Sequence, residues 1–434
     1  MNKKRIGIIV ADYPLGVLLD TTSMAIYLAK EGFLVDIFID KYMYESARVD
    51  FDDKNIRVIT VKAGFKATSG IFSKRILNFN LGAGLDMVVK KIRDVRDASS
   101  QKHLLQIQNH GSFKEKLLNY QKCFFPQVYK FTTHLRKYIN RDYLCLIGVE
   151  PRGLLSATLL AQDHNIPVIY QNMELLLADE CKSDIDKVMK NLERECNQKC
   201  LFTIIQDQRR AQYLIKDNQL DPQKIKLLPN SLWEDAYKNT TDYLYKKLNI
   251  PKDKKIILYA GNLNWPSMSL EVAQLVQKWP DNYVLVLHTW AKFGRTDEYT
   301  NKMKEIIDNK RVYLSVEFLE SRQFPELISS SAIGLVFYRN LGPNYYEIGS
   351  ACNKLIRYLN AGVPVITIDF PSLKEKIEPA GAGVCVSSPE LIGPAIETIM
   401  QNYQQYRAAA FKLYEQDYTF SKNFQEILAT IKKI

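Results

Sequence analysis

Two cations three residues apart, Lys354 and Arg357, stand in the stretch YYEIGSACNKLIRYLNAGVPVIT, Tyr345 to Thr367. Gly349, Ser350, Ala351 and Cys352 precede them, Gly362 follows, and a Val-Pro-Val-Ile run comes next. The spacing predicts a short helix opened by small residues, stopped at the glycine and followed by a buried strand. Backbone N–H groups at a helix start lack partners, and the helix dipole favours anions there. Gly349 and Ser350 are therefore expected to leave that end open to a diphosphate. Residues three apart share a helix face, so Lys354 as a point charge and Arg357 as a fork are both expected to counter phosphate charge.

A second set of candidates is acidic. Asp12 and Asp20 fall in the loop after the first predicted strand, Glu150 follows YLCLIGV, and Glu174 follows PVIYQNM. In open parallel sheets the ligand crevice lies beyond the carboxyl ends of the strands. Glu150, Glu174 and Asp20 are the expected catalytic carboxylates, placed to take a proton from an acceptor hydroxyl. His110, within a basic segment, is a further candidate. Asp52–Asp53 and Asp184–Asp186 imitate a DxD metal site but fall away from strand ends, and no metal is expected. Trp265, Trp290, Tyr338, Tyr345 and Tyr346 follow strands of the second half and offer rings to a nucleotide base or to the core.

The elements that must position these groups alternate. RIGIIV (5–10), FLVDIFID (33–40) and IRVITV (56–61) read as strands with a helix between the first two. Residues 65–142 break the rhythm and read as a mostly helical, basic elaboration. The alternation resumes through YLCLIGV, PVIYQNM, LFTIIQ and KIKLLPNS, and the polar stretch 234–255 reads as a linker. The second half restarts the same grammar from KIILYAGNLN to GVCVS. Strand and helix in alternation call for parallel sheets covered on both faces. The expected class is α/β: two Rossmann-like, doubly wound parallel-sheet domains facing a central cleft, at residues 1–232 and 245–400.

Composition narrows the partners. The chain of 434 residues carries a net charge of +11, and residues 62–141 hold 16 Lys/Arg against 4 Asp/Glu. That segment points to an anionic partner, a phosphate-bearing acceptor or a membrane surface touched peripherally. Nucleic acid is not the expected partner. Seven cysteines without a Cys-x-x-Cys pair read as reduced thiols. The first apolar run is too short for a secretory leader and no uncharged run approaches a membrane span, so a cytoplasmic protein is expected. The phosphate loop G-x-x-x-x-G-K-[ST] is absent, and no G-x-G-x-x-G follows the first strand, which argues against a P-loop nucleotidase and a dehydrogenase.

CNKLIRYLNAGVPVI resembles the donor-binding signature of GT-B glycosyltransferases of the family 4/family 1 kind ("glycosyl transferases group 1"). Asn353, Lys354, Leu355, Tyr358, Gly362, Pro364 and Val365 carry the likeness. YAGNLNWP resembles the first strand and phosphate loop of the donor domain, KIKLLPNS the strand entering the linker, and VIYQNME an acceptor-domain strand. The resemblance implies the GT-B fold, a nucleotide diphosphate sugar as co-substrate without a further cofactor, and C-terminal helices at 401–434 crossing back to the first domain. It implies donor contacts at Gly261, Asn262, Tyr338, Glu347, Gly349, Ser350, Asn353, Lys354 and Arg357. The family has Glu or Asp, holding the ribose hydroxyls, where Arg357 stands, and Arg accepts no hydrogen bond. Glu347 is then the expected ribose contact, with Arg357 serving a phosphate or an acidic sugar. The first loop also lacks the usual Gly-Gly turn, and Asn262 and Asn264 replace a basic pair. A nucleotide-sugar 2-epimerase and a degenerate GT-B partner of an active transferase are the alternatives.

Overall fold

The computed structural model describes residues 4–65, 112–290 and 298–434. His110, and with it most of the basic segment (66–111), lies outside the described residues.

The apolar runs of the first half form β1 (Arg5–Val10), β2 (Leu34–Asp40), β3 (Ile56–Val61), β4 (Tyr143–Val149), β5 (Val168–Gln171), β6 (Phe202–Ile205) and β7 (Ile225–Leu227). They make one parallel sheet in the order β3-β2-β1-β4-β5-β6-β7. Ile6, Ile8, Val35, Ile37, Leu146 and Ile169 are wholly buried, because helices cover both faces of a parallel sheet. The order reverses between β1 and β4, so the carboxyl ends of those two strands flank a topological switch point. Ser112 opens the helix Phe113–Phe124 with a capping box to Glu115, and Pro126–Leu135 follows. These described parts of the elaboration are helical and bury Leu117, Val128, Phe131 and Leu135.

The second half forms β8 (Lys255–Ala260), β9 (Tyr283–Thr289), β10 (Val312–Val316), β11 (Ile333–Val336), β12 (Val365–Ile368) and β13 (Gly383–Val386). The sheet is again wholly parallel, in the order β10-β9-β8-β11-β12-β13. Its switch point lies between β8 and β11. Both halves are thus doubly wound α/β sheets of the Rossmann kind.

The chain divides into Met1–Leu227 with Gln425–Ile434, and Leu228–Phe424. The polar stretch 234–255 belongs to the second unit. Tyr237 donates its N–H to the Asn360 carbonyl, Asn360 Nδ2 donates to the Asp235 carbonyl, and Leu244 of the helix Tyr243–Leu248 is wholly buried. Backbone groups that find partners in a unit belong to it, however polar their side chains. The helix Tyr403–Asp417 also packs in the second unit, with Phe411 closed over Gly362. The last ten residues join the first unit through Lys432–Glu31 at 2.7 Å and Glu426–Lys226 at 2.5 Å. Among the described residues, no helix is long and apolar enough to cross a membrane.

Candidate functional site

β8 runs into Gly261 at φ +141°, a conformation side chains disfavour, and the Gly261 N–H donates to the His288 carbonyl. A Cβ there would stand 3.5 Å from Lys354 Cε, so the bare backbone borders the lysine. Lys354 Nζ donates to Tyr259 Oη at 3.0 Å and lies 4.4 Å from the ring centroids of both Tyr259 and Tyr338. Tyr259 is fixed in turn, donating to the Ser267 and Phe337 carbonyls. Tyr358 locks the helix to β8 by accepting from the Ala260 N–H and donating to the Leu258 carbonyl. Burial pushes the Lys354 ammonium down to about 8. No carboxylate pairs with it among the described residues. It faces a pocket lined also by Asn262, Asn264, Pro266, Ser267, Tyr338 and Tyr345. Tyr338 further shares a hydrogen bond with Cys352 Sγ at 3.6 Å.

The helix begins at Asn353, four residues later than its small-residue opening implied. Gly349 sits in a turn, where a Cβ would fall 1.9 Å from the Ser372 carbonyl oxygen. Its N–H donates to the Ser372 hydroxyl oxygen and its carbonyl accepts from Tyr418 Oη. This glycine is explained by close packing against Ser372. Ser350 is 1% exposed, and its carbonyl accepts from the Asn230 N–H. Asn230 Nδ2 donates to the Ala351 carbonyl and to Asn353 Oδ1 at 2.7 Å. Gly349, Ser350 and Asn353 therefore anchor the turn within the unit. Glu347, also buried, caps the short helix Pro343–Tyr346.

Arg357 parts company with Lys354. Its guanidinium lies 4.0 Å over the Phe324 ring, and no carboxylate pairs with it among the described residues. Burial lowers its proton affinity, with Glu234 acting weakly in the other direction, yet an Arg side chain stays charged. The same helix face carries both cations, but they lie against different aromatic walls.

In the first unit the switch point gathers acids. Glu150 follows β4 and opens the helix Glu150–Gln162 at φ +59°, a strained conformation for a side-chain-bearing residue, and is 3% exposed. Its Oε1 accepts from the Met173 N–H at 2.6 Å and the Glu174 N–H at 3.1 Å. Burial, then the nearby Glu174 charge, push its ionisation well up, and the two backbone N–H groups oppose this. Asp12 pairs with Arg152 at 2.5 Å, and burial together with Glu150, Glu174 and Asp12 raises the Tyr13 phenol. Asp20 is buried in the first turn of the helix Leu19–Lys30, where its charge suits the dipole. Asp184 and Asp186 sit in the first turn of a helix capped by Ser183. No cluster of three metal-ligating side chains occurs among the described residues.

No family model matches the chain. Among curated proteins, Protein TIC 214 of Draba nemorosa is 29% identical over 113 residues, 24% of this chain and 6% of that protein. So small a share says nothing of activity. Solved structures align over nearly the full length. Sucrose-phosphate synthase from Thermosynechococcus elongatus matches at TM-score 0.65 and 15% identity, over 99% of both chains. Anabaena HepE in complex with UDP and glucose matches at 0.64 and 14%, over 100% of both. A glycosyltransferase from Rickettsia africae matches at 0.61 and 14%, over 100% of this chain and 99% of its own. The chain has the GT-B fold.

Within that GT-B fold, part of each expected set comes together, while Glu347, Gly349, Ser350, Asn353 and Arg357 are not among the residues lining the Lys354 pocket. Asn262, Tyr338 and Lys354 line one pocket, and Gly261 borders the lysine. Glu150 and Glu174 meet beyond β4 and β5. Sequence reasoning missed Tyr259, Phe324, His288 and Asn230 in the second unit, and Arg152 and Tyr13 in the first. Tyr259 and His288 sit inside buried strands, where a polar aromatic residue reads as core. The unusual type of His288 in an otherwise apolar strand, YVLVLHT, was the available signal.

Proposed function

We propose that the protein is a glycosyltransferase that moves a sugar from a nucleoside diphosphate sugar to an acceptor hydroxyl, in glycan, glycolipid or natural-product synthesis. Lys354 carries the reading: a desolvated ammonium at a sheet switch point, with no carboxylate beside it among the described residues, suits a diphosphate. As the sugar–phosphate bond breaks, negative charge grows on the leaving diphosphate, and a preset cation stabilises that charge most when water is excluded. Gly261 and Asn262 give backbone room at the phosphates, Tyr338 walls the lysine, and Glu347 is assigned to the ribose. Gly349, Ser350 and Asn353 shape the turn before the helix. The acceptor belongs to the first unit, where Glu174, Glu150 and Asp20 are the proposed catalytic carboxylates. The UDP complex of HepE makes UDP the first nucleotide to test.

The helical elaboration is assigned to a lipid surface or an anionic acceptor held at one. Lys122, Lys130, Lys137 and Arg141 are exposed, and no acidic residue occurs between Lys116 and Arg141. Salt-sensitive co-sedimentation with anionic vesicles supports this, and equal sedimentation with neutral vesicles refutes it. A cytoplasmic location follows from the same reading.

Calorimetry with UDP, GDP, dTDP and CMP sugars tests the donor site. Binding of one diphosphate sugar, lost in Lys354→Ala, supports the proposal, and normal transfer by that variant sinks it. A second reading has one observation behind it. A structure described as a putative UDP-N-acetylglucosamine 2-epimerase from Listeria monocytogenes matches at TM-score 0.53 and 13% identity, over 100% of this chain. Conversion of the donor with no acceptor present would favour the epimerase. Failure to bind any nucleotide sugar would favour a non-catalytic partner of another transferase.

A further inference from the structure

We propose that Arg357 and His288 form a second oxyanion subsite, distinct from Lys354, that takes a further phosphate or carboxylate on the same nucleotide-type ligand. The identity of the ligand rests on the donor-site reading above; the subsite rests on three observations at Phe324.

The first is an uncompensated charge. The Arg357 guanidinium stacks at 4.0 Å on Phe324 and pairs with no carboxylate among the described residues. Glu234 acts on it only at a distance. Glu317, the other acid of this corner, is already engaged by Lys247 and by Tyr243 Oη at 2.6 Å. A partly desolvated cation with no counter-charge is costly to hold, and an anion brought by a ligand relieves that cost.

The second is an orphaned nitrogen. His288, next to last in β9, is only 1% exposed, its ring edge-on to the same Phe324 at 5.5 Å and 82°. Nδ1 shares a hydrogen bond with Ser315 Oγ at 3.0 Å, while Nε2 is buried with no partner among the described residues. When Ser315 donates to Nδ1, Nε2 carries the proton and is a free donor. Burial and the Lys247 and Arg357 charges keep this imidazole neutral. In that tautomer the corner offers donors: a planar fork and one N–H. Phosphates and carboxylates accept from such a set through several lone pairs, and Arg binds them bidentately.

The third is separation. Lys354 lies between Tyr259 and Tyr338, and Arg357 lies on Phe324 beside β9 and β10. Two cations against different walls serve two groups of a ligand better than one.

The test is calorimetry on the full chain with three probes: UDP, UDP-glucuronic acid, and uridine 3′-phosphate 5′-diphosphate. The wild type is expected to bind one of the last two at least tenfold tighter than UDP. A gain with UDP-glucuronic acid places the extra anion on the sugar, and a gain with the bisphosphorylated ribose places it on the nucleoside. Arg357→Gln should erase that gain while holding UDP within threefold, and Arg357→Lys, which keeps the charge, should retain most of it. Equal weakening of all three probes by Arg357→Gln would make Arg357 a plain diphosphate contact and overturn the subsite. So would wild-type binding that is sensitive to Lys354→Ala yet shows no preference among the probes. No binding of any probe by the wild type would instead overturn the donor site, and the subsite with it.

Discussion

The two sheets end in opposite chemistries. Beyond β1, β4 and β5 stand carboxylates that the protein itself engages: Glu150 on two backbone N–H groups, Asp12 on Arg152. Beyond β8, β9 and β11 stand two cations that face aromatic rings and have no carboxylate partner among the described residues. Folding alone rewards paired charges, since an unpaired one forfeits hydration without return. The first cluster is therefore held in place by the fold, with Glu150 pinning the loop after β5. The second has no such partner among the described residues. On that asymmetry we propose the donor site in the second unit.

The largest expected effect breaks the comparison outright. Lys354→Ala should slow transfer by about 100- to 1000-fold, the scale of losing one preset electrostatic donor, with melting temperature unchanged or slightly raised. A large drop in melting temperature with normal turnover would mean the lysine is structural.

The pH profile sharpens it. Lys354 loses its proton near 8 in the ligand-free protein, well below an ordinary lysine. Diphosphate binding needs the protonated form, so affinity should fall by up to about tenfold per pH unit above 8. Lys354→Arg stays charged and should flatten that limb. Calorimetry from pH 7 to 10 reads both. The ligand-free fold shifts the other way, gaining stability as pH rises from 8 towards 10.5, because the unfolded chain binds the extra proton there.

Two glycines separate packing from binding. Gly349→Ala puts a methyl into the Ser372 carbonyl and should cost about 1–3 kcal/mol or more by denaturant titration. Gly261→Ala meets only ordinary contact distances but forces an unfavourable φ beside Lys354. It should cost about 1–3 kcal/mol through that backbone strain and lower diphosphate affinity as well. Unchanged affinity in Gly261→Ala would remove this loop from the site.

The smallest effect concerns Glu150. Glu150→Ala frees two backbone donors and should cost about 1–3 kcal/mol; Glu150→Gln keeps an acceptor and should cost less. The Glu150 carboxyl titrates above its unfolded value of 4.5, so the folded protein holds the proton longer. Its contribution to stability is complete below 4.5 and is lost as pH rises towards the folded value. Glu150→Gln should abolish that slope in melting temperatures measured from pH 4 upward. An unchanged slope would assign it to other groups.

Much of this was legible early because strand and helix signals are local. RIGIIV and KIILYA announce buried parallel strands by their own apolar runs, and each became the first strand beside a switch point. Lys354 could be singled out by its neighbours in sequence. The meaning of Gly349 could not: smallness before a cation suggested an open phosphate loop, whereas Ser372, 23 residues on, explains it. The polar run 234–255 looked like a tether because backbone partners such as Asn360 are invisible at that range.

By itself, then, the sequence determined the two α/β halves, the strand ends at which chemistry must gather, and the residue types available there. Tertiary structure decided which of those charges are satisfied. Tyr259 reaches Lys354 across 95 residues, and Phe324 meets both Arg357 and His288. Periodicity records which face of an element is buried; whether a buried charge finds its counter-charge depends on distant segments converging, and local pattern carries no record of that.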